Sequence, residues 1–239
     1  MYTSVRDAVY GSWCTMIGIA SSRLWHSSAF DEIEKRTGEP VMRITQEQDL
    51  QPSKLAKNKI RKIFFLHWSS IIPPEIYEEF ECIIFHMTAL PYGRGGSPLQ
   101  NLILNGHKET LLTAFRCVRE LDAGPIYLQR PLELDGPAWQ IFERARNLMV
   151  DMVEAICRDN PNPIPQSGTA VVFKRRKPED SNLHLVDNTD QAYDMIRMLD
   201  AKGYPHAFLE SGGLRFEFTD VTHEKTGLRA TVTITKKST

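Results

Sequence analysis

Short apolar runs without polar alternation recur through the first two thirds of the chain. Those that we expect to form the strands of one sheet lie at residues 15–20, 62–66, 82–85, 111–118 and 125–129. Unalternated runs of this length, separated by helical segments, are typical of a mainly parallel sheet that is covered on both faces. The pattern therefore predicts an α/β fold for this part of the protein.

Helical spacing of apolar residues predicts the elements that cover this sheet. Residues 29–36 suit a helix, and apolar positions between 141 and 156 form the clearest helical stripe in the chain. Ser97-Pro98-Leu99-Gln100 predicts a further helix start, in which Ser97 is the cap and Gln100 completes a capping box. Gly106 is expected to end that helix.

The pattern changes after the long helix. Three prolines between residues 160 and 165 break it and mark a boundary. We expect one domain over residues 1–165, of which 1–14 are an extension, and a small C-terminal subdomain over residues 166–239.

Alternation replaces continuous runs in this C-terminal subdomain. A strand at 170–174 and a helix stopped by Gly203 are predicted first. Apolar residues then alternate with polar ones at 214–218 and 228–234, which is typical of antiparallel strands with one solvated face. The subdomain is therefore predicted to be α+β with an antiparallel sheet.

Composition narrows the classes of function. The 239 residues include 29 basic and 30 acidic side chains, for a net charge of −1. This balance argues against nucleic acid as a partner, because such binding gains most of its affinity by neutralising phosphates. No apolar run approaches the ~20 residues needed to cross a bilayer, so no membrane association is expected. The four cysteines form no CxxC pair, and residues 1–20 lack a secretory leader, so we expect a cytoplasmic protein.

One glycine-rich stretch carries the main chemical signal. It reads Phe85-His86-Met87-Thr88-Ala89-Leu90-Pro91-Tyr92-Gly93-Arg94-Gly95-Gly96-Ser97-Pro98 and follows a buried run that ends near His86. In parallel α/β sheets ligands bind outside the carboxyl ends of the strands, so His86 is presented at the edge of a site. The glycines allow the backbone to approach a ligand closely.

A carboxylate follows the next predicted strand. Asp122 lies in Leu121-Asp122-Ala123-Gly124, again at the carboxyl end of a strand. If its strand is adjacent to that of His86, Asp122 can reach the imidazole. An aspartate before glycine is by itself usually turn chemistry, so the pair, and not either residue alone, indicates catalysis. The other six histidines show no metal-ligand spacing, and no metal is expected.

Together the two motifs resemble the formyltransferase family that uses 10-formyltetrahydrofolate. The matching residues are His86, Leu90-Pro91, Arg94-Gly95, Pro98, Gln100 and Leu121-Asp122-Ala123-Gly124, within a resemblance that covers about residues 16–165. The form of the glycine-rich stretch is most similar to bacterial sugar-nucleotide N-formyltransferases, including those linked to pseudaminic acid pathways. The resemblance implies a Rossmann-like formyltransferase core in the first domain and 10-formyltetrahydrofolate as the co-substrate.

The resemblance also implies roles for individual side chains. His86 and Asp122 form the catalytic pair, in which His86 stabilises the oxyanion while Asp122 orients it and helps to remove the amine proton. The residues expected to contact the folate are Leu90, Pro91, Arg94, Gly95, Leu121 and Asp122. Those expected to contact the acceptor are Trp68, Ser69, Met87, Thr88, Tyr92, Arg175 and Arg176.

One position departs from the family pattern. The family's asparagine two residues before the histidine is replaced by Ile84, which has no hydrogen-bond donor. Loss of one oxyanion donor typically costs about 3–4 kcal/mol of transition-state stabilisation. The substitutes that the sequence leaves open are Ser69, Ser97, Gln100, Asn101 and a backbone N–H of the glycine loop.

The expected function is transfer of a formyl group to the amine of a small, nucleotide-linked amino sugar. The alternatives are a methionyl-tRNA formyltransferase-like enzyme and a catalytically impaired scaffold of the same fold. The charge balance argues against tRNA as the substrate. The chain from Asn160 onward carries 11 basic and 10 acidic residues, which leaves little excess positive charge for binding phosphates. Retention of His86 and Asp122 argues against the scaffold. A homodimer through the antiparallel tail is left open.

Overall fold

The computed structural model describes residues 16–23 and 27–237, so the predicted extension at residues 1–14 lies outside the described residues. The chain divides into two compact units, and each unit is assembled from three separate chain segments. The predicted domain boundary at residue 165 stays a prediction. The last passage of the chain between the units falls after Gln166.

The first unit holds the chain up to His86 together with Thr113–Gln129 and Arg146–Gln166. Its main feature is a six-stranded sheet of order β2-β1-β3-β4-β6-β7. The strands are β1 (Ile17–Ala20), β2 (Val41–Ile44), β3 (Lys62–Phe65), β4 (Glu81–His86), β6 (Glu109–Arg116) and β7 (Ile126–Glu133). The helices of this part of the chain are α1 (Ser27–Thr37), α2 (Pro52–Lys57) and α3 (Pro74–Tyr77), with a 3₁₀ turn at Glu47–Asp49.

The parallel core of the sheet is confirmed. Strands β2, β1, β3 and β4 pair in parallel, so β3 and β4 both end at the same edge of the sheet. All of β1 is buried, as are Ile63, Phe64 and Phe65 of β3. Burial on both faces explains why these strands read as continuous apolar runs.

Strand β6 runs antiparallel to β4. In this pairing Thr113 lies opposite His86, and Arg116 lies opposite Ile83. The two strands are neighbours, as a meeting of His86 and Asp122 requires. The carboxyl end of β6, however, lies beside the amino end of β4. We expected the two residues to meet because both strands would end at the same edge of the sheet, and that explanation is wrong.

Apolar packing fixes the first unit around the sheet. One buried cluster joins strand residues to the helices and loops that cover them: Ala20, Ile44, Leu50, Leu55, Ile60, Ile63, Phe65, Ile72, Ile76, Phe80, Cys82 and Cys117. The predicted long helix is α5 (Ala138–Asp159), whose residues from Arg146 onward belong to the first unit, where its stripe is buried at Met149, Val153 and Ile156. No helix within residues 16–23 and 27–237 is long and apolar enough to span a membrane.

The second unit holds Met87–Leu112, Arg130–Ala145 and the chain from Ser167 onward. Its elements are β5 (Arg94–Gly95), α4 (Pro98–Leu104), β8 (Val172–Phe173), α6 (Thr189–Arg197), β9 (Ala207–Ser211), β10 (Leu214–Glu224) and β11 (Gly227–Lys236). Two 3₁₀ turns, Pro178–Ser181 and Leu183–Leu185, precede α6. Gly106 follows α4 with φ 79°, as its predicted role at the helix end requires.

The C-terminal antiparallel sheet is confirmed, with one strand more than the two alternating segments predicted. Its order is β11-β10-β9. Phe216 of β10 lies opposite Ile234 and Leu209, so apolar side chains line one face across all three strands. Ile234 and Leu209 on this face are 58% and 37% exposed, so the apolar face is itself partly solvated.

Arg197 anchors α6 within the second unit. This side chain is almost fully buried, and its Nη1 donates to the carbonyls of Leu134 and Gly136 at 2.6 and 3.0 Å. Its Nε donates to Asp194 Oδ1 at 2.6 Å. The guanidinium charge is therefore paired, and two loop carbonyls receive hydrogen bonds that water cannot supply.

We expect Arg197→Met to destabilise the protein by roughly 2–4 kcal/mol, because it leaves a half-buried carboxylate and two carbonyls without their donor. Urea unfolding followed by circular dichroism measures the change. Arg158→Met is the matched control, since Arg158 is exposed and pairs with its exposed neighbour Asp159, so its loss should leave the midpoint unchanged. Equal midpoints for both variants would contradict the anchoring role.

Candidate active site

His86 is the last residue of β4 and is buried at 8% exposure. Met87 and Thr88, which follow it, are also buried. The strand therefore delivers the imidazole at its carboxyl end, where the sequence placed it, inside a packed environment.

Asp122 approaches the imidazole from the loop after β6. Its Oδ2 lies 3.9 Å from His86 Nδ1, and the two side chains are only 10% and 9% exposed. This separation is within ion-pair range when the imidazole is protonated, and it is longer than a direct hydrogen bond. Asp122 has a left-handed backbone, with φ 50°, which aspartate tolerates better than most residues. The structure thus brings the two predicted catalytic residues together.

Two polar side chains that were not predicted as site residues lie on β6 and β7. Thr113 is fully buried directly opposite His86, and it accepts a hydrogen bond from Gln129 Nε2 at 3.0 Å. Partners directly opposite in an antiparallel pair project to the same face, so these groups form a polar row across β4, β6 and β7. The one signal in the sequence is a threonine inside the apolar run Leu-Leu-Thr-Ala-Phe.

Ile84 occupies the family's asparagine position as an apolar residue in apolar surroundings. It pairs with Phe65 on β3 and with Phe115 on β6, and it packs against the buried cluster of the first unit. The substitution is thus accommodated by hydrophobic packing at this point of β4.

Trp68 and Ser69 follow β3 in the first unit. The Trp68 ring meets Phe65 edge-on, with centroids 5.8 Å apart, and packs against the buried cluster. Its Nε1 is buried and has no hydrogen-bond partner among the described residues. Ser69 is exposed. Trp68 therefore contributes to the core, and its expected contact with an acceptor stays a prediction.

The glycine loop belongs to the second unit, where β5 pairs in parallel with β8. A Cβ atom at Gly95 would lie 2.5 Å from the carbonyl oxygen of Phe173, and one at Gly96 would lie 2.5 Å from Arg175 Cβ. At Gly95 and Gly96 the absence of a Cβ atom therefore allows residues 173–175 of the same chain to pack closely against the loop. The expected contact of Gly95 with the folate stays a prediction.

The helix α4 begins at Pro98 with Ser97 at its N-cap, as predicted, but Ser97 makes no side-chain capping bond. Ser97 has a left-handed backbone, with φ 51°, and its hydroxyl accepts from the Arg176 backbone N–H at 3.1 Å. Gln100 donates to the Met198 carbonyl instead of closing a capping box. Asn101 Nδ2 lies 3.0 Å from three carbonyl oxygens, those of Gly96, Ser97 and Lys174. Gln100 and Asn101 thus use their amides to tie the loop to the end of α6 and to Lys174, whereas the Ser97 hydroxyl acts as an acceptor towards Arg176.

The remaining residues of the loop are at least half-buried. Leu90 is buried, and the Leu90–Pro91 peptide is cis. The Tyr92 hydroxyl lies 3.1 Å from His107 Nε2, and its ring meets Phe173 edge-on. The backbone N–H of Arg94 donates to Val171 at 2.9 Å. Their expected contacts with folate or acceptor stay predictions.

The basic segment Lys174–Lys177, which follows β8, contains both exposed and half-buried side chains. Lys174, Arg175 and Lys177 are exposed. Arg176 is half-buried, and its guanidinium donates to the Asp180 carbonyl and contacts Met195 Sδ at 3.6 Å. Burial lowers the pKa of Arg176. Arg175 is free to meet a ligand from solvent, whereas Arg176 already braces the segment.

Three described cysteines lie in the first unit as free thiols. Burial raises the pKa of Cys117 to about 11, and the Asp122 carboxylate adds to this rise. Burial likewise raises the pKa of Cys157 to about 12 and that of Cys82 further still. Burial thus disfavours the thiolate form of all three cysteines. Among the residues that the structure describes, no cluster of three metal-ligating side chains is present.

Comparisons with known proteins place the chain in a family. A solved structure named "Methionyl-tRNA formyltransferase from Clostridium thermocellum" is 39% identical, with a TM-score of 0.90, and the match covers 93% of this chain and 100% of that one. A sugar N-formyltransferase from Shewanella shares the fold at 15% identity, with a TM-score of 0.64, over 83% of this chain and 94% of the other. The chain belongs to the formyltransferase family.

Curated sequence relatives of this chain are named methionyl-tRNA formyltransferases. The methionyl-tRNA formyltransferase of Lactobacillus acidophilus is 28% identical over 79% of this chain and 66% of the relative. The family model "Methionyl-tRNA formyltransferase, C-terminal domain" matches residues 178–235. The chain spans between about half and two thirds of the length of the curated relatives it matches.

We expect the described cysteines to resist alkylation in the folded protein at pH 8. With a pKa of about 11, Cys117 holds roughly a hundredfold less thiolate than a free cysteine. Iodoacetamide labelling followed by peptide mass spectrometry measures each site, and the urea-unfolded protein serves as the control. Equal labelling rates in the folded and unfolded protein would show that these thiols are not buried.

Proposed function

We propose that this protein transfers a formyl group from 10-formyltetrahydrofolate to a primary amine. The observation that carries the proposal is the buried pair of His86 and Asp122, whose Nδ1 and Oδ2 atoms lie 3.9 Å apart. An imidazole and a carboxylate in this arrangement suit acyl transfer, in which one oxygen gains negative charge and one nitrogen loses a proton.

The residues present fit a formyl donor by their chemistry. An imidazole N–H can donate to a carbonyl oxygen, and the Asp122 carboxylate lies 3.9 Å from the imidazole. Leu121, beside Asp122, is 71% exposed and offers an apolar surface for a flat ring. The folate, when bound, supplies an activated formyl carbon.

His86 and Asp122 divide the chemical work between them. His86 donates a hydrogen bond to the formyl oxygen as the amine attacks, so negative charge is stabilised in a site with little water. Asp122 keeps the imidazole oriented and accepts the proton that the attacking nitrogen loses, directly or through a water. The bond between the formyl carbon and the donor nitrogen then breaks, and that nitrogen takes up a proton as tetrahydrofolate leaves. Acid–base assistance of this kind contributes about 10²–10⁴ in rate.

Ile84 reduces the transition-state stabilisation that this site can provide. It removes the side-chain amide that the family places two residues before the histidine, which corresponds to about 3–4 kcal/mol of transition-state stabilisation. Gln100 and Asn101 already donate to backbone carbonyls, so Ser69, Ser97 and a backbone N–H remain as substitutes among the donors that the sequence left open.

For the acceptor, the names of the relatives favour methionyl-tRNA over the amino sugar. This support comes from the 39% identical structure and from the family model that matches residues 178–235. The exposed basic side chains of Lys174, Arg175 and Lys177 would contact phosphates of such a substrate.

An amino-sugar nucleotide is the second candidate, and one observation favours it. The chain from Asn160 onward carries 11 basic and 10 acidic residues, so it offers little excess positive charge for a long nucleic acid. A nucleotide diphosphate needs only a few cations, which the run from Lys174 to Lys177 supplies.

We expect His86→Ala and Asp122→Ala to lower kcat by about 10²–10⁴, since each removes one partner of the acid–base pair. Transfer is measured as release of tetrahydrofolate from 10-formyltetrahydrofolate in the presence of the acceptor. His184→Ala, in an exposed 3₁₀ turn of the second unit, is the control and should retain full activity. Full activity in the His86 variant would overturn the mechanism.

The acceptor is tested by offering both substrates to the same preparation. Mass spectrometry should show a gain of one formyl group on the methionine of charged initiator tRNA, with a rate that falls steeply as salt rises. A formyl gain on a 4-amino-sugar nucleotide alone would instead establish the second candidate. Folate binding with no formyl gain on either acceptor would show a scaffold and refute the proposed transfer.

A further inference from the structure

Gln166 lies beside the loop that carries Asp122, in a position that the backbone pairing explains. Ile126, at the start of β7, and Ile164 form an isolated antiparallel bridge. Two backbone hydrogen bonds join them: Ile126 N–H donates to Ile164 at 2.7 Å, and Ile164 N–H donates to Ile126 at 2.8 Å. Continued by two residues in this antiparallel register, the pairing places Gln166 opposite Gly124.

The side chain of Gln166 extends this pairing. Pro165 and Pro125 have no backbone N–H, so neither can add a hydrogen bond next to the bridge. Gln166 Nε2 instead donates to the carbonyl oxygens of Gly124 and Asp122, both at 2.8 Å. The amide nitrogen carries two hydrogens, so both bonds can form at once.

A second contact holds the loop from the opposite side. Gly124 lies against β6 so closely that a Cβ atom there would be 1.7 Å from the Arg116 carbonyl oxygen. Arg116 N–H also donates to Pro125 at 2.9 Å. Between these contacts and Gln166, the backbone around Asp122 is fixed although Asp122 has a left-handed φ of 50°.

We propose that Gln166 is a positioning residue for Asp122. Its hydrogen bond to the Asp122 carbonyl holds the peptide group that follows the Asp122 Cα. The backbone from which the Asp122 side chain extends is thereby held in place, and so is the carboxylate that lies 3.9 Å from His86. Gln166 acts through Asp122 and not on the substrate. The inference rests on the proposed function for its kinetic consequence, whereas its structural consequence does not require a substrate.

The central variant is Gln166→Met, which keeps the length of the side chain and removes both donors. We expect kcat to fall about ten- to hundredfold while KM for the formyl donor changes less than threefold, because a small displacement of a catalytic group acts mainly on the transition state. Gln166→Asn keeps one amide on a shorter side chain and should show an intermediate loss. Gln51→Met removes an amide that donates to the Gln48 carbonyl and should change nothing.

A double-variant comparison separates positioning from general stability. If Gln166 acts through Asp122, Gln166→Met should reduce kcat no further in an Asp122→Ala background. A purely structural role would lower kcat by the same factor in both backgrounds and would overturn the inference. The Asn variant supplies the same comparison if the Met variant does not fold.

Hydrogen exchange provides a readout without substrate. Backbone amides of residues 119–124 should exchange faster in Gln166→Met than in the unsubstituted protein, while those of β1 stay unchanged. Unchanged exchange in this loop would refute the inference. An inactive unsubstituted protein would refute the proposed function alone, whereas an active one with an equally active Gln166→Met variant would refute the positioning role alone.

Discussion

The antiparallel pairing of β4 with β6 is the constraint on which the candidate site depends. It sets Thr113 opposite His86 and sends the carboxyl end of β6 to the far end of β4. Asp122 therefore reaches the imidazole only because the loop between β6 and β7 folds back. A parallel strand would have carried its following loop to the histidine directly, whereas here the returning loop must be held in place by its own hydrogen bonds.

The interaction between His86 and Asp122 depends strongly on the conformation of this loop because both side chains are buried. The side chains of His86 and Asp122 are about nine-tenths buried, so their mutual attraction is screened little by water. A buried carboxylate without a partner is strongly disfavoured, and the loop is thus stabilised in the conformation that pairs the two groups. The same low-dielectric surroundings that impose this requirement strengthen the interaction of His86 with a developing oxyanion.

The outcome for particular elements shows which sequence signals were informative. The strands β1, β3 and β4 were predicted because burial on both faces leaves an unbroken apolar run. The strand β2 was missed because it is short and mostly half-buried, and its sequence Val-Met-Arg-Ile contains an exposed arginine. At Ser97 the local signal for a helix cap was correct in composition, yet a contact with Arg176, 79 residues away, took the hydroxyl.

The sequence by itself determined the α/β core, the antiparallel C-terminal sheet and the two motifs that contain His86 and Asp122. These features follow from periodicity and from residue types within short windows, which are local properties of the chain. Only the tertiary structure decided the direction of β6, the polar row of Thr113 and Gln129, and the placement of Gln166 beside Gly124. The physical reason is that each depends on strand direction and register between distant segments, which hydrogen bonding and packing select together and no local pattern encodes.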